Sequence, residues 1–388
     1  FFIIYSVLVY KRINIAIAGV AFFIVVYSLV SFKSDFSLVI KQLINVLSLL
    51  LASYFFIVHE DYSFHKIFRK YILVAKYILV IGLIQSFMFV MEHGNAFLKI
   101  FPFLKSTNIS ARFQSLSDEP SFIAITFAPI VFVAMHNLFY RRKHFLTRTW
   151  SCLFLLGYLL TLSSSAYVGI ALMLVLLYFK KLTEKKLILG SVVLSSIFLF
   201  VLISYERIDL IKVRVDDTLY GLTHDFDDPR VYQSVNLSTY ALLSNWYVTK
   251  KGFTDFPLTG RGLGTHATTY YTHLPDAMKE YVILNDKDAN SMALRLLSET
   301  GLVGLLLFTL FLIRYKIKFN LVDTCQEEFL WVINSAIFVV IIIVLLRNGN
   351  YTSSGKLLFI LLYYFSWLYV KKSRRSFDDG IKTNKCIP

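Results

Sequence analysis

The stretch Tyr205-Glu-Arg-Ile-Asp-Leu-Ile-Lys-Val-Arg-Val-Asp-Asp217 opens a polar segment of roughly eighty residues that closes at Ile283-Leu-Asn-Asp-Lys-Asp288. It separates two strongly apolar runs, and every other connection is short. Inside a bilayer every backbone N–H and C=O must find a partner within the protein, which restricts spanning segments to helices and closed barrels. The flanking runs are near twenty residues long and lack period-two alternation, so helices are expected. The chain reads as an all-α polytopic membrane protein of about 10–12 transmembrane helices. One large extracytoplasmic loop containing short helices is where chemistry is sought.

Composition agrees. Of 388 residues 56% are hydrophobic, with 36 Phe and 24 Tyr. That much apolar surface suits lipid contact rather than a soluble core. A net charge of +15 would suggest nucleic acid in a soluble protein. Here the basic residues sit in short loops between apolar runs, the signature of cytoplasmic loops, so no nucleic-acid partner is expected. Cys152, Cys325 and Cys386 have neither metal-ligand nor CxxC spacing, and imply no disulfide framework. The chain opens at Phe1 within an apolar run, read as the remainder of a truncated first span rather than a signal peptide.

Spans are expected near 1–10, 13–31, 38–58, 71–91, 121–139, 149–163, 165–179, 187–204, 289–313, 329–346 and 356–370. Trp150 to Phe179 is read as a hairpin turning at Thr161-Leu-Ser-Ser-Ser165, because Arg141-Arg-Lys143 precedes it and Lys180-Lys181 follows it. Two basic flanks on one side require an even number of crossings. With that hairpin, Lys11-Arg12, His65-Lys66, Arg69-Lys70, Arg314 to Lys318 and Lys371 to Arg375 all fall in the cytoplasm. The long loop, with nine Lys/Arg against twelve Asp/Glu, is tilted acidic as a translocated segment can be. The resulting division is 1–204 for N-terminal transmembrane helices, 205–288 for the loop, 289–370 for C-terminal transmembrane helices and 371–388 for a basic cytoplasmic tail.

Within the loop, Leu237, Tyr240, Ala241, Ser244 and Tyr247 recur at helical intervals, predicting a helix over 236–250. Phe256-Pro-Leu-Thr-Gly-Arg-Gly-Leu-Gly264 is a turn-rich break that either closes the loop onto the membrane or binds an anion. His224, His266 and His273 lack metal-ligand spacing and read as solvated loop histidines.

Four places put ionisable groups beside an apolar run on the outer side. In Arg112-Phe-Gln-Ser-Leu-Ser-Asp-Glu119-Pro120-Ser121, Pro120 suits a first helical turn and Ser117 or Asp118 a cap. Glu119 is either the favourable acid of a helix N-terminus or a functional carboxylate. Arg112 either snorkels to head groups or meets substrate. Arg230 follows Asp227-Asp228-Pro229, so a rigid turn presents it, with an exposed salt bridge as the plainer reading. Arg261 lies within the glycine turn. Where the chain returns to the bilayer, Asp288, Asn290, Arg295 and Glu299 follow one another, and the i, i+4 spacing of Arg295 and Glu299 puts both on one helix face. A lone charge there costs about 2.5–3.5 kcal/mol, so the two are expected to pair or to face a polar cavity. Gly301 and Gly304 read as positions of close helix approach.

Taken in order, these segments resemble the O-antigen ligase/polymerase family of membrane glycosyltransferases. Arg112 through Ser121 is similar to that family's arginine followed by a Pro-Ser helix start. Leu160-Thr-Leu-Ser-Ser-Ser165 is similar to its LTxSR helix end, with Ala166 where an arginine is usual. Arg230 with Pro257-Leu-Thr-Gly260-Arg-Gly-Leu-Gly264 resembles its loop arginine and glycine turn. Asn290-Ser-Met-Ala-Leu294 through Glu299-Thr-Gly-Leu-Val-Gly304 resembles its returning helix. The histidine that many members, ligases especially, carry before the Asn is Ala289 here, with Asp288 a weak substitute one helical step away.

The resemblance implies a GT-C-like enzyme of the bacterial cytoplasmic membrane. Its substrate would be an undecaprenyl-diphosphate-linked oligosaccharide, polymerised into O-antigen, capsule or exopolysaccharide. A chain-length regulator is a possible partner, and neither metal nor cofactor is expected. Arg112 and Arg230 are the expected catalytic cations, because guanidinium forks match diphosphate oxygens as negative charge gathers on the leaving group. Glu119 is the expected general base on the acceptor hydroxyl. Arg261, Asn290, Asp288, Arg295 and Glu299 are the expected substrate-binding residues. A ligase of the same family, a lipid-linked oligosaccharide flippase and a structural envelope subunit are the rival readings.

Overall fold

The computed structural model describes residues 15–31, 33, 35–101, 112–178, 209–226, 228–319, 324–353 and 355–378. The expected spans at 1–10 and 187–204, the pairs Lys11-Arg12 and Lys180-Lys181, and Asp227 and Cys386 lie outside the described residues.

The described residues are helical, with no strand among them. The first three helices are α1 (Ile15–Ser31), α2 (Phe36–His59) and α3 (Phe64–Val90), followed by a short α4 (Gly94–Ile100). Next come α5 (Pro120–Tyr140), α6 (Arg148–Leu160) and α7 (Ser164–Tyr178). The loop holds α8 (Asp209–Thr223), α9 (Pro229–Tyr232), α10 (Leu237–Asp255), α11 (His266–His273) and α12 (Asp276–Tyr281). The chain then runs through α13 (Met292–Arg314), α14 (Cys325–Arg347) and α15 (Lys356–Asp378). Five of these, α2, α3, α5, α13 and α14, are long and apolar enough to cross a membrane. The protein is an all-α, multi-pass membrane protein.

The residues form two compact units. One draws on Phe1–Leu49, Leu182–Phe311 and Val344–Thr352; the other on Leu50–Lys181, Leu312–Ile343 and Ser353–Pro388. In the second unit α5 packs against α6 and α7 and is buried along most of its length, Pro129 included. The hairpin read at 161–165 is present: α6 ends at Leu160, Leu162 takes a left-handed φ of 46°, and α7 begins at Ser164. The Asn137 amide closes the turn after α5, donating to the His144 carbonyl at 2.8 Å and accepting from the His144 amide at 3.1 Å.

Helix ends differ from the apolar runs. α3 starts at Phe64 rather than near 71, α14 at Cys325 rather than 329, and α15 continues to Asp378, into the expected basic tail. Hydropathy marks where lipid begins, whereas a helix continues into water wherever a cap holds it. Ser63 caps α3 by accepting from the Lys66 amide.

In the first unit, the loop has its own core of Phe226, Val231, Tyr232, Tyr240, Tyr270 and Met278, among others. The helix expected over 236–250 is α10. Asn236 caps it by accepting from the Thr239 amide at 3.1 Å, and Asp217 of α8 holds the Asn236 amide groups at 2.7 and 2.9 Å. α8 packs on α10, and α10 on α11, so the loop is a folded element rather than a tether.

Candidate functional site

The glycine turn and the returning helix are joined backbone to backbone. Gly301 sits inside α13 with φ 60° and ψ −160°, a conformation only glycine adopts readily, and breaks the helix there. The break frees amides after it and carbonyls before it, which lipid cannot satisfy. The loop satisfies both. Leu302 and Val303 donate to the carbonyls of Pro257 and Leu258 at 2.9 and 3.1 Å. Arg261 and Gly262 donate back to the carbonyls of Ser298 and Glu299 at 3.1 and 2.9 Å. Tyr27 of α1 adds its hydroxyl to the Thr300 carbonyl at 2.7 Å. Gly301 is therefore a break that admits loop backbone, not the helix-approach position expected from the sequence. A Cβ on it would press against the Leu258 carbonyl.

One helical turn earlier lies a buried polar cluster. Arg295 Nε donates to Glu299 Oε1 at 2.8 Å, the pair expected from their spacing, and both side chains are buried. The remaining guanidinium groups reach the Gly349 carbonyl at 3.2 Å and Gln42 Oε1 at 3.3 Å, and the Tyr351 ring stacks 4.2 Å from Arg295. Burial and the adjacent Glu299 hold the Tyr351 hydroxyl well above its usual pKa.

His266 completes the cluster and corrects the sequence reading. It is fully buried, not solvated. Its Nδ1 lies 2.8 Å from Ser298 Oγ and its Nε2 lies 2.9 Å from Asn245 Oδ1. Asn245 Nδ2 already donates to the carbonyls of Ala241 and Leu284, so its Oδ1 is the acceptor and His266 carries its proton on Nε2. Burial, with Arg295 nearby, pushes the imidazole down to about 3, so it is neutral at ordinary pH. Among the other two, His224 is exposed as expected, whereas His273 is mostly buried and lies 3.1 Å from Asp255.

Asp288 and Asn290 do not begin a helix. Ala289 and Asn290 take left-handed φ of 58° and 53°, and α13 starts only at Met292, so the one-step helical offset assigned to Asp288 does not apply. Asp288 Oδ1 instead accepts from the Asn290 amide at 3.0 Å and from Asn285 Nδ2 at 3.1 Å, closing a tight turn. Ser291 then anchors the helix start by donating to the Leu345 carbonyl at 2.6 Å.

Arg261 points away from the helix break. Its guanidinium donates to Asp255 Oδ2 at 2.8 Å, approaches His273 Nε2 at 3.3 Å and lies 5.4 Å over the Phe256 ring. This arginine holds the Asp255 carboxyl below its ordinary range. Arg230 behaves differently. Asp228 caps α9 by accepting the Arg230 amide at 2.9 Å, and the same carboxylate takes the guanidinium at 2.6 Å. The Arg230 side chain is nevertheless 86% exposed, with Pro229 fixing the turn beneath it.

Arg112 and Glu119 belong to the other unit. Phe113 is fully buried where Gly82 of α3 and Gly157 of α6 leave room for its ring. Gln85 holds the adjacent backbone, donating to the Arg112 carbonyl at 3.0 Å and accepting from the Gln114 and Ser115 amides at 3.0 and 2.9 Å. With its backbone fixed, Arg112 donates to the carbonyls of Thr161 and Leu162 at 3.1 and 2.9 Å, at the C-terminal end of α6. Those bonds replace simple snorkelling, and a cation there complements the helix dipole. Glu119 itself, not Ser117 or Asp118, occupies the N-cap position of α5, with Pro120 next as expected. Its side chain is exposed and accepts from Ser121 Oγ at 2.9 Å instead of capping an amide.

Of the sequence-derived candidates, Arg295 and Glu299 are in direct contact, and Arg261 reaches them through backbone. Arg230 stands apart on its own capped turn, and Arg112 and Glu119 lie in the second unit. His266 was singled out only as a solvated histidine, and Asn245, Gln42 and Tyr351 were not singled out; each comes from a segment remote in sequence from Arg295, and no local pattern marks its place in the cluster.

These features define a multi-pass membrane protein whose loop is locked to a broken, charged returning helix. Residues 150–309 match the family model described as O-Antigen ligase. That span includes the α6–α7 hairpin, the loop and the break at Gly301. No curated protein matches the chain.

Proposed function

We propose that this protein is a membrane glycosyltransferase that polymerises oligosaccharide repeat units carried on undecaprenyl diphosphate, at the outer face of the bacterial cytoplasmic membrane. The observation that carries the proposal is Arg230: an exposed guanidinium on a proline-fixed helix start, within the segment similar to the O-antigen ligase family. As the anomeric carbon–oxygen bond breaks, the departing diphosphate gains negative charge. A preoriented guanidinium donates two N–H groups to its oxygens and costs no reorganisation at that moment. Arg230 would exchange Asp228 for the diphosphate. Arg112, anchored at the α6 end, would supply a second cation. Exposed Glu119 would accept the proton of the attacking sugar hydroxyl as the new glycosidic bond forms. The capsule, O-antigen and exopolysaccharide outcomes share this chemistry.

In this reading Arg261, Asp288, Asn290, Arg295 and Glu299 shape the substrate-binding region. Arg295 and Glu299, being buried, would act by holding the loop and returning helix in position rather than by touching sugar.

The family's description favours a ligase as the second reading. Ala289 stands where many ligases of the resembled family carry a histidine, and neutral His266 is enclosed, so neither supplies a ligase-type base. The carbohydrate profile of a deletion strain decides between them. Loss of a polymerase leaves a single repeat unit at the cell surface; loss of a ligase strands finished polymer on the carrier lipid. Absence of both a surface repeat unit and carrier-linked polymer would point to a flippase and overturn both.

A further inference from the structure

α3 carries a ladder of cations at its N-terminal end: Lys66, Arg69, Lys70 and, two turns beyond Arg69, Lys76. Like charges three, four and seven residues apart share a helix face and repel one another, so this placement needs compensation. Two of the four have it. Lys66 lies 3.5 Å from Asp61, and Lys70 contacts Glu60. Among the described residues, no carboxylate pairs with Arg69 or Lys76. The Lys76 ammonium lies 4.8 Å over the Trp150 ring of α6.

Arg69 and Lys76 share one cavity of about 320 Å³, which Ile72, Leu73 and Phe145 also line. Seven residues apart, they lie on the same helix face about 10 Å apart along the axis, a distance two long side chains can close. A neighbouring cavity of about 540 Å³ shares Arg69 and Leu73 and is lined by Lys66 and Lys70 as well. Beyond these cations the surface of α3 turns apolar and stays exposed through Leu73, Val74, Tyr77 and Val80. Lys76 lies within the apolar run read from 71 to 91, where an ionisable side chain demands a partner.

We infer that Arg69 and Lys76 form a binding site for the phosphodiester headgroup of an anionic phospholipid, such as phosphatidylglycerol. The headgroup phosphate occupies the cavity between the two cations, and an acyl chain lies along Leu73, Val74 and Tyr77. The positive-inside pattern assigns this end of α3 to the cytoplasmic leaflet. Free phosphate satisfies the cations but not the apolar wall, which is why the lipid is the chosen occupant.

The test uses the full chain, delipidated in neutral detergent and titrated with phosphatidylglycerol, phosphatidylcholine or inorganic phosphate, read by native mass spectrometry and by thermal melting. Phosphatidylglycerol is expected to remain bound and to raise Tm, with little effect from phosphatidylcholine. Arg69→Gln with Lys76→Gln is expected to weaken phosphatidylglycerol binding about 30-fold, from two basic contacts. Lys66→Gln with Lys70→Gln, whose cations already have carboxylates, is expected to weaken it far less. Equal binding of both lipids, or an unchanged affinity in the Arg69/Lys76 variant, overturns the site. So does inorganic phosphate that reproduces the full Tm rise, which would assign the cavity to a free anion. If the double variant fails to fold, competition on the unaltered protein still decides: phosphatidylglycerol displaced equally well by phosphatidylcholine refutes the proposal.

Discussion

His266 Nδ1 lies 2.8 Å from Ser298 Oγ, so a buried loop imidazole is joined to the returning helix one turn before that helix breaks. Because its pKa lies near 3 when folded and near 6.5 when unfolded, the unfolded chain binds the extra proton between those values. The stability His266 contributes is complete above about pH 6.5 and is lost progressively as pH falls towards about 3. His266→Gln should flatten the fall in Tm between pH 7 and pH 5 relative to the unaltered protein. Parallel pH curves for the two would show that the imidazole is not held neutral.

Arg295 and Glu299 make a buried pair whose members depend on each other. Arg295→Met leaves a carboxylate enclosed without its cation and should cost about 3–5 kcal/mol. Arg295→Met combined with Glu299→Leu should recover much of that. Thermal melts of both variants, purified from membranes, measure the difference. Equal losses in the single and double variants would refute the pairing argument.

Gly301→Ala forces a side chain into a positive-φ conformation against the Leu258 carbonyl. A penalty of about 1–3 kcal/mol follows from the backbone alone. The expected readout is a lower Tm and easier proteolysis at the glycine turn 256–264.

Arg230→Ala should abolish polymer while leaving Tm unchanged, since its ion pair with Asp228 is exposed and contributes little to folding. Arg230→Lys keeps charge but not the two-pronged fork and should restore activity only partly. A normal ladder of long glycans from Arg230→Ala would remove the central assignment.

Glu119→Gln should depress transfer by about 10²–10⁴-fold and remove the acidic limb of the pH–rate profile. Activity equal to the unaltered protein at every pH would leave Glu119 as the residue that starts α5 and nothing more.

Much of this architecture was readable from local pattern. The i, i+4 spacing of Arg295 and Glu299 gave their contact, the helical recurrence of Leu237, Tyr240, Ala241, Ser244 and Tyr247 gave α10, and basic residues on both sides of 161–165 gave the hairpin. The buried cluster was less legible, because it is made of long-range partners. Nothing near His266 in sequence announces that Asn245 and Ser298 will enclose it. Gly301 misled for a related reason. Two glycines three apart in an apolar helix usually let another helix approach, and only the loop backbone arriving from residues 257–262 reveals a break. The anchoring of Arg112, read as either snorkelling or meeting substrate, was hidden because its acceptors, Thr161 and Leu162, belong to a distant turn.

The reciprocal bonding around Gly301 makes the glycine turn and the broken start of α13 a single construction. Grafting a foreign loop between α7 and α13 would strand peptide groups in hydrocarbon unless the graft brought its own matching strand of backbone. Attempts to change glycan specificity by exchanging loops should therefore succeed only when residues 256–264 and 298–303 travel together.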